Sequence, residues 1–462
     1  MMRTYNRLIK LVSASFLALT LQAQAGYALP EYQKTTLDNG LTVYLMEQHE
    51  VPLIDVNVVV KVGAINDKKS GLAYLTAESL MLGTQRQAKS EIDEAVDFIG
   101  ANISSTASTE SSFIESSFAA KDQDVILSLI KDVVTAPKFS DQEFSKLKKQ
   151  HLLTLEQNKE SPKSVIKDYF NNLVFQGSSY NVTTAGNTLS VANITLDDLK
   201  RFHQQWYQPR NSAIVIVGDF DSKNMLEKIK ALFSNWTNQS KLEHLVVKAP
   251  KELTQANVLL VNKADAIEST FIIGGLGIAR NTADRVGISV INTVLGGRFT
   301  SWLNDELRVN SGLTYGAKSS FTSYKHSGSF AISSFTKTST TIEAIDLALK
   351  TYQRLFQQGI DEKTLASAKA YVKGKFPPQF ETSQDLSNLL GQMYTYDFDE
   401  NYINTFEQQV NSLTVEKTQQ LIKKYFPQDN LQTVIIGKAA ELQKSVAKYG
   451  EMREVNINDI LE

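Results

Sequence analysis

Ile194-Thr195-Leu196-Asp197-Asp198-Leu199, followed by Trp206-Tyr207, Asn211 and Ile216-Val217-Gly218, has a second copy further along the chain. The copy is Leu413-Thr414-Val415-Glu416-Lys417-Thr418, followed by Tyr425-Phe426, Asn430 and Ile435-Ile436-Gly437. Each pair is offset by the same interval, with no gap. Both copies read as a helix capped by Thr195 or Thr414, an aromatic pair, a short turn, and a buried strand ending in glycine. A helix–turn–strand unit recurring by chance is the bland alternative, but the matched register makes an internal repeat the better reading. The repeat predicts two homologous domains, 31–240 and 254–445, joined by a polar linker at 241–253 that contains Pro250 and followed by a tail at 446–462.

The length of 462 residues fits this division, since one core rarely serves more than about 250–300 residues. Within the first unit, Ile54, Val56, Val58, Val60 and Val62 alternate as the core face of a strand. Ser70 to Met81 reads as a helix, Ser90 with Asp93 caps another, and Asn102–Thr109 with Ser112–Ala120 form a polar-faced strand pair. Helices follow at 122–135 and 141–159, the latter with a capping box from Ser140 and Glu143. The second unit repeats the theme. Its strands are at 270–276, 314–322 and 327–335, and its helices begin near Thr282, Thr300, Thr340 and Asp361. The expected class is α+β, each domain a largely antiparallel sheet with helices packed on one face.

The composition is that of a globular protein, 42% hydrophobic and 21% charged. A net charge of −2 gives no overall field that favours nucleic acid or acidic lipid. There is no cysteine, which excludes disulfides and thiolate metal sites. Arg3, Arg7 and Lys10 precede an apolar run from Leu11 to Leu21 and the small residues Ala23 and Ala25, the pattern of a signal peptide over 1–25. Its loss takes the net charge to −5. The apolar run is too short to span a hydrocarbon core of ~30 Å. The sequence therefore predicts an exported chain, suited to a bacterial periplasm, with no membrane span once mature.

Two stretches carry the functional reading. The first is Gly71-Leu-Ala-Tyr-Leu-Thr-Ala-Glu-Ser-Leu-Met-Leu-Gly-Thr84. With the preceding strand and the opening Leu37-Asp-Asn-Gly-Leu-Thr-Val43, it resembles the insulinase-type (pitrilysin-family) zinc metallopeptidases, which carry Gly-Leu-Ala-His-x-x-Glu-His there. The resemblance covers nearly all of residues 35–440. It implies two domains facing each other as half of a peptidase chamber. The family's two histidines fall on Tyr74 and Glu78, and its catalytic glutamate falls on Ala77. Two imidazoles at i and i+4 share one zinc ion, and a neighbouring carboxylate deprotonates the bound water. Tyrosine, alanine and one glutamate supply none of this, so no metal is expected in this chain. The third family ligand would fall near Thr154 to Glu156, where Glu156 is the only carboxylate. The five histidines, His49, His151, His203, His244 and His326, show no ligand spacing. His151 and Glu156 read as a solvated helix face. A serine or cysteine nucleophile is rejected, since there is neither a Gly-x-Ser-x-Gly elbow nor a cysteine.

The second stretch runs from Gly296-Gly297 through Arg308 to Gly312-Leu313-Thr314-Tyr315-Gly316. Read plainly, it is a loop, a helix capped by Thr300 or Ser301 and ended by Gly312, and a strand start. Arg308 would then be a surface ion-pair partner and Tyr315 an edge residue. The resemblance gives the pair another role, since the family carries a similar Leu-Arg-x-x-x-Gly-Leu-x-Tyr segment that hydrogen-bonds substrate backbone and the developing oxyanion. It implies a chain active only with a homologous partner that brings His-x-x-Glu-His and the zinc, acting on peptides. The competing readings are a silent scaffold or peptide-binding protein of the same fold, and an enzyme with an unrecognised site. The polar strand from Ile103 to Thr109 matches the one that pairs with substrate backbone in the family, with a blunted edge strand as the alternative.

Overall fold

In a computed structural model that describes residues 27–238, 240–242 and 246–459, the alternating stretch at Ile54 forms the centre of a six-stranded sheet. The expected signal peptide over 1–25 lies outside the described residues. The strands of the first sheet are β1 (Gln33–Thr36), β2 (Thr42–Glu47), β3 (Leu53–Val60), β4 (Asn102–Ala107), β5 (Ser112–Ala119) and β6 (Ser212–Gly218). They lie in the order β1-β2-β6-β3-β5-β4, antiparallel except for β2 with β6. The second sheet holds β7 (Asn257–Asn262), β8 (Glu268–Leu276), β9 (Ala317–Ser323), β10 (Gly328–Lys337), β11 (Gln432–Gly437) and β12 (Glu451–Asn456). Its order is β12-β7-β11-β8-β10-β9, and both pairings of β7 are parallel. The chain is α+β with two like-built domains, as the repeat requires, though the second sheet is more mixed than expected.

The repeat is visible element by element. Helix α4 (Leu196–Trp206) and helix α6 (Val415–Tyr425) stand in the register read from the sequence, and each leads to the glycine-ended strand beside it. Thr195 accepts from the Asp198 amide at 3.3 Å, and Thr414 from the Lys417 amide at 3.2 Å. Each threonine satisfies one of the unpaired amides of a first helical turn. The outermost strands break the symmetry. β1 comes from the start of the described chain, whereas β12 comes from residues expected to be a tail and runs parallel to β7.

The expectation of helices on one face only is incomplete. One face of β3, with Ile54, Val56, Val58 and Val60, packs on the helices of its own half. The other face, with Asp55, Asn57 and Val59, is buried as well. It is covered by helix α5 (Ser383–Tyr396), which belongs to the second half. Leu386, Leu389, Leu390 and Met393 share a core with Tyr44, Met46, Ala213, Val215 and Val217. Asn57 Nδ2 donates to Asn388 Oδ1 at 3.0 Å. Gly391 lets the helix approach, because a Cβ there would lie 3.0 Å from Val59. The second half receives the same treatment from helix α3 (Pro162–Val174) of the first. Ile166, Tyr169, Phe170 and Val174 pack on Leu259, Val261, Ile272, Val434 and Ile436. Each such side chain removed from water contributes about 1.5–3 kcal/mol. The halves thus exchange one helix each. At the seam, the Tyr180 hydroxyl donates to Glu110 at 2.7 Å, and the Lys325 amide donates to the same carboxylate at 3.0 Å.

Smaller expectations resolve locally. The helix expected to be capped by Ser90 and Asp93 begins two residues earlier, at Lys89–Phe98, with Ala88 in the cap position. Glu91 reaches back to the Ala88 amide at 2.6 Å, and Asp93 instead pairs with Lys89. Ser140 caps helix α2 (Asp141–Asn158), but the Glu143 side chain turns to Lys146 rather than closing a box. No helix among the described residues is long and apolar enough to cross a membrane.

Candidate functional site

Helix α1 (Leu72–Leu80) carries the degenerate motif. Its start is fixed by Asp67, whose carboxylate accepts from the amides of Gly71, Leu72 and Ala73 at 2.8–3.1 Å. Ala77 is fully buried in the core of the first half. Tyr74 lies against the His151 ring, centroids 4.9 Å apart and planes 30° apart. Burial and the neighbouring Glu78 both raise the Tyr74 phenol above its ordinary range. Burial raises the Glu78 carboxyl as well, while Thr106, on β4, and Tyr74 act to lower it.

These residues do not fit a zinc ion. Tyr74 is held as a neutral phenol, Ala77 offers no base, and Glu78 is a single carboxyl that burial pushes toward its neutral form. The helix-face reading of His151 with Glu156 is corrected. His151 is buried, with Nε2 2.7 Å from the Ala185 carbonyl, whereas Glu156 is exposed and paired with Lys159. At 3.6 residues per turn, two positions five apart on one helix lie about 140° apart round its axis, so His151 faces the Tyr74 ring while Glu156 faces away from it. Among the described residues, no group of three His, Cys, Asp or Glu side chains could hold a metal. The isolated chain is expected to carry no stoichiometric zinc by elemental analysis at neutral pH. Glu78→His should leave that result unchanged, because one restored ligand cannot make a three-ligand site. Stoichiometric zinc in either protein would contradict the assignment.

Arg308 and Tyr315 lie elsewhere, and none of Tyr74, Ala77 and Glu78 shares their cavity. The cavity holds about 640 Å³. It is set between α3, the face of β8, β9 and β10 on which α3 packs, and the segment from Phe299 to Ala317. Arg308 sits in a wide π-type turn over 305–310, a geometry enriched at functional sites. Its guanidinium lies over the Phe299 ring, 4.5 Å from the centroid, and makes no ion pair or hydrogen bond among the described residues. The plain reading of Arg308 as a surface ion-pair partner is thereby set aside. Gly296 is required by close approach, since a Cβ there would meet the Ser319 amide nitrogen at 2.3 Å.

Tyr315 is 83% exposed and stacks loosely on Phe335, centroids 6.4 Å apart. Its backbone is tightly held. Thr336 Oγ1 donates to the Leu313 carbonyl at 2.6 Å, Ser334 Oγ donates to the Gly316 carbonyl at 2.9 Å, and the Ala317 amide donates to Asn304 at 3.0 Å. The result is a fixed main chain presenting a hydroxyl with no hydrogen-bond partner among the described residues. Sequence reading singled out Arg308 and Tyr315 but not Phe299, Phe335, Lys163, Lys167 and Lys318, which line the same cavity.

Two family profiles match the chain in succession. The profile described as Insulinase (Peptidase family M16) matches residues 42–188, and that described as Peptidase M16 inactive domain matches residues 193–372. The chain is 25% identical to a Helicobacter pylori protein called Zinc protease PqqE, over 93% of this chain and 98% of that protein. It is 24% identical to one from the same organism called Non-peptidase homolog YmxG, over 84% of this chain and 90% of that protein. The crystal structure of a peptidase M16 inactive domain from Pseudomonas fluorescens superposes with a TM-score of 0.83 at 25% identity, covering 88% of this chain and 98% of that one.

Proposed function

Because this chain belongs to the insulinase (M16) peptidase family, with a zinc helix stripped of its ligands, we propose that it is the Arg308/Tyr315-bearing, non-catalytic subunit of a two-chain zinc peptidase. One observation carries the reading. Arg308 and Tyr315 are held in one cavity with their polar groups unspent among the described residues. An arginine kept only for folding would be expected to find a carboxylate, and a tyrosine kept only for packing would bury its ring.

In the assembled enzyme, a homologous partner would bring His-x-x-Glu-His, with the zinc and the general base. The part of this chain is to bind and polarise. The Arg308 fork would donate to a peptide carbonyl, and the Tyr315 hydroxyl would donate to the oxygen on which charge develops. That the relatives include a zinc protease and a non-peptidase homologue from one organism supports a division of labour. The substrates would be peptides, degraded or processed in an exported compartment such as the periplasm. Co-purification from the native source, followed by mass spectrometry, tests the assembly. A chain bearing His-x-x-Glu-His in stoichiometric amount is the expected result, and its absence would favour the scaffold reading.

The strand β4 is the outer strand of its sheet, next to α1, and could add a peptide strand through its main chain. Ser105→Pro removes one amide donor from that strand. If β4 holds substrate, the complex should lose about tenfold in peptide affinity, or roughly 1.4 kcal/mol. Unchanged affinity would mean that β4 is only a polar-faced edge.

A further inference from the structure

The cavity around Arg308 and Tyr315 has an unequal charge. Lys163, Lys167, Arg308 and Lys318 line it, and no aspartate or glutamate does. The chain as a whole has 50 acidic and 48 basic residues, so a wall with four cations would ordinarily include acids. Asp168, Asp305 and Glu306 adjoin these cations in sequence but do not line the cavity. Among the described residues none of the four cations forms an ion pair, whereas Lys61, Lys69, Lys228, Lys263 and Lys448 each do.

Two of the four are held in place by rings instead. Lys163 Nζ lies 3.2 Å from the Phe335 centroid, and Arg308 lies over Phe299. A ring face fixes a cation without neutralising it. The remaining walls carry no charge: Ile166, Phe170 and Ile272 are apolar, Ser320 and Ser333 bring hydroxyls, and Asn171 and Asn304 bring amides. Unpaired cations clustered over an apolar floor repel one another until an anion with apolar bulk arrives between them.

We propose that this cavity selects acidic peptide segments, seating Glu or Asp side chains against Lys163, Lys167 and Lys318 and an apolar side chain on the floor beside Tyr315. The proposal rests on the reading that this site receives peptide, and names the class of peptide. Apolar walls favour a peptide over a nucleic acid, whose phosphates would leave that floor unused.

The test uses the full chain and two fluorescent peptides of about ten residues, identical except that glutamates in one replace lysines in the other. At about 50 mM salt the acidic peptide should bind about tenfold more tightly, and at about 500 mM the preference should fall below about twofold. The double variant Lys167→Glu/Lys318→Glu should abolish or reverse the preference, with an unchanged thermal midpoint, since both residues are exposed. Equal affinities, a preference for the basic peptide, no binding of either, or a preference that survives the double variant would each overturn the proposal. So would displacement of the acidic peptide by an oligonucleotide of equal charge at lower concentration than unlabelled peptide. The wild-type ranking decides even if the variant misfolds. Failure here, alongside loss of turnover on removing the Tyr315 hydroxyl, would remove the charge preference and leave the two-chain reading standing.

Discussion

Replacing Tyr315 by phenylalanine in the reconstituted two-chain enzyme is expected to lower turnover by roughly 10²–10³, the usual loss for one oxyanion donor. The partner's zinc content should not change, because this hydroxyl is not a ligand. Folding should not suffer either. The Tyr315 ring is largely in solvent, and the neighbouring main chain is held by Thr336, Ser334 and Asn304. Arg308→Lys keeps the charge over Phe299 but loses the planar fork, so its deficit should fall more on KM than on kcat. Kinetics with the zinc-bearing partner decide the matter. Wild-type turnover by the Tyr315→Phe complex would make the pair structural and the chain a scaffold.

Leu390→Ala should have the largest effect on stability. Leu390 is fully buried on α5, in the core that the second half shares with the first sheet. Truncation should cost about 2–5 kcal/mol, depending on how far the site collapses. The informative readout is where the loss appears. If the exchanged helices couple the halves, hydrogen exchange should show β3 and β6 losing protection together with β8 and β10. A variant in which only α5 frays, or in which the halves melt in separate transitions, would show that the coupling is weak.

The two-domain plan was legible because its signals are local. Thr195 and Thr414 cap in place, and the strands after them end in Gly218 and Gly437. The emptied zinc motif and the Arg308/Tyr315 pair were legible through motif resemblance. What escaped depends on which surfaces meet. The Asp55–Asn57–Val59 side of β3 reads as a solvent face, and only the arrival of Asn388 and Gly391 from residues over three hundred positions away covers it. His151 reads as surface because nothing nearby in sequence announces the Tyr74 ring. Lys163 and Lys167 look like the solvated side of an ordinary helix. They become part of a site only when α3 crosses to the other half and lies opposite Arg308. β12 is charged and strand-length, and its pairing with β7 is a long-range event.

The exchange of α3 and α5 also bears on how a substrate could enter. A peptidase that encloses its substrate must open, and a hinge between two domains of one chain is a common way to do it. Here each domain grips the other by a separate helix, so parting them means releasing two grips at once, and each grip keeps the other's partner close. This chain would therefore move as one body. In the two-chain enzyme proposed above, the mouth would lie between the subunits, and the rate of opening would be set by the strength of their association rather than by flexing of this polypeptide.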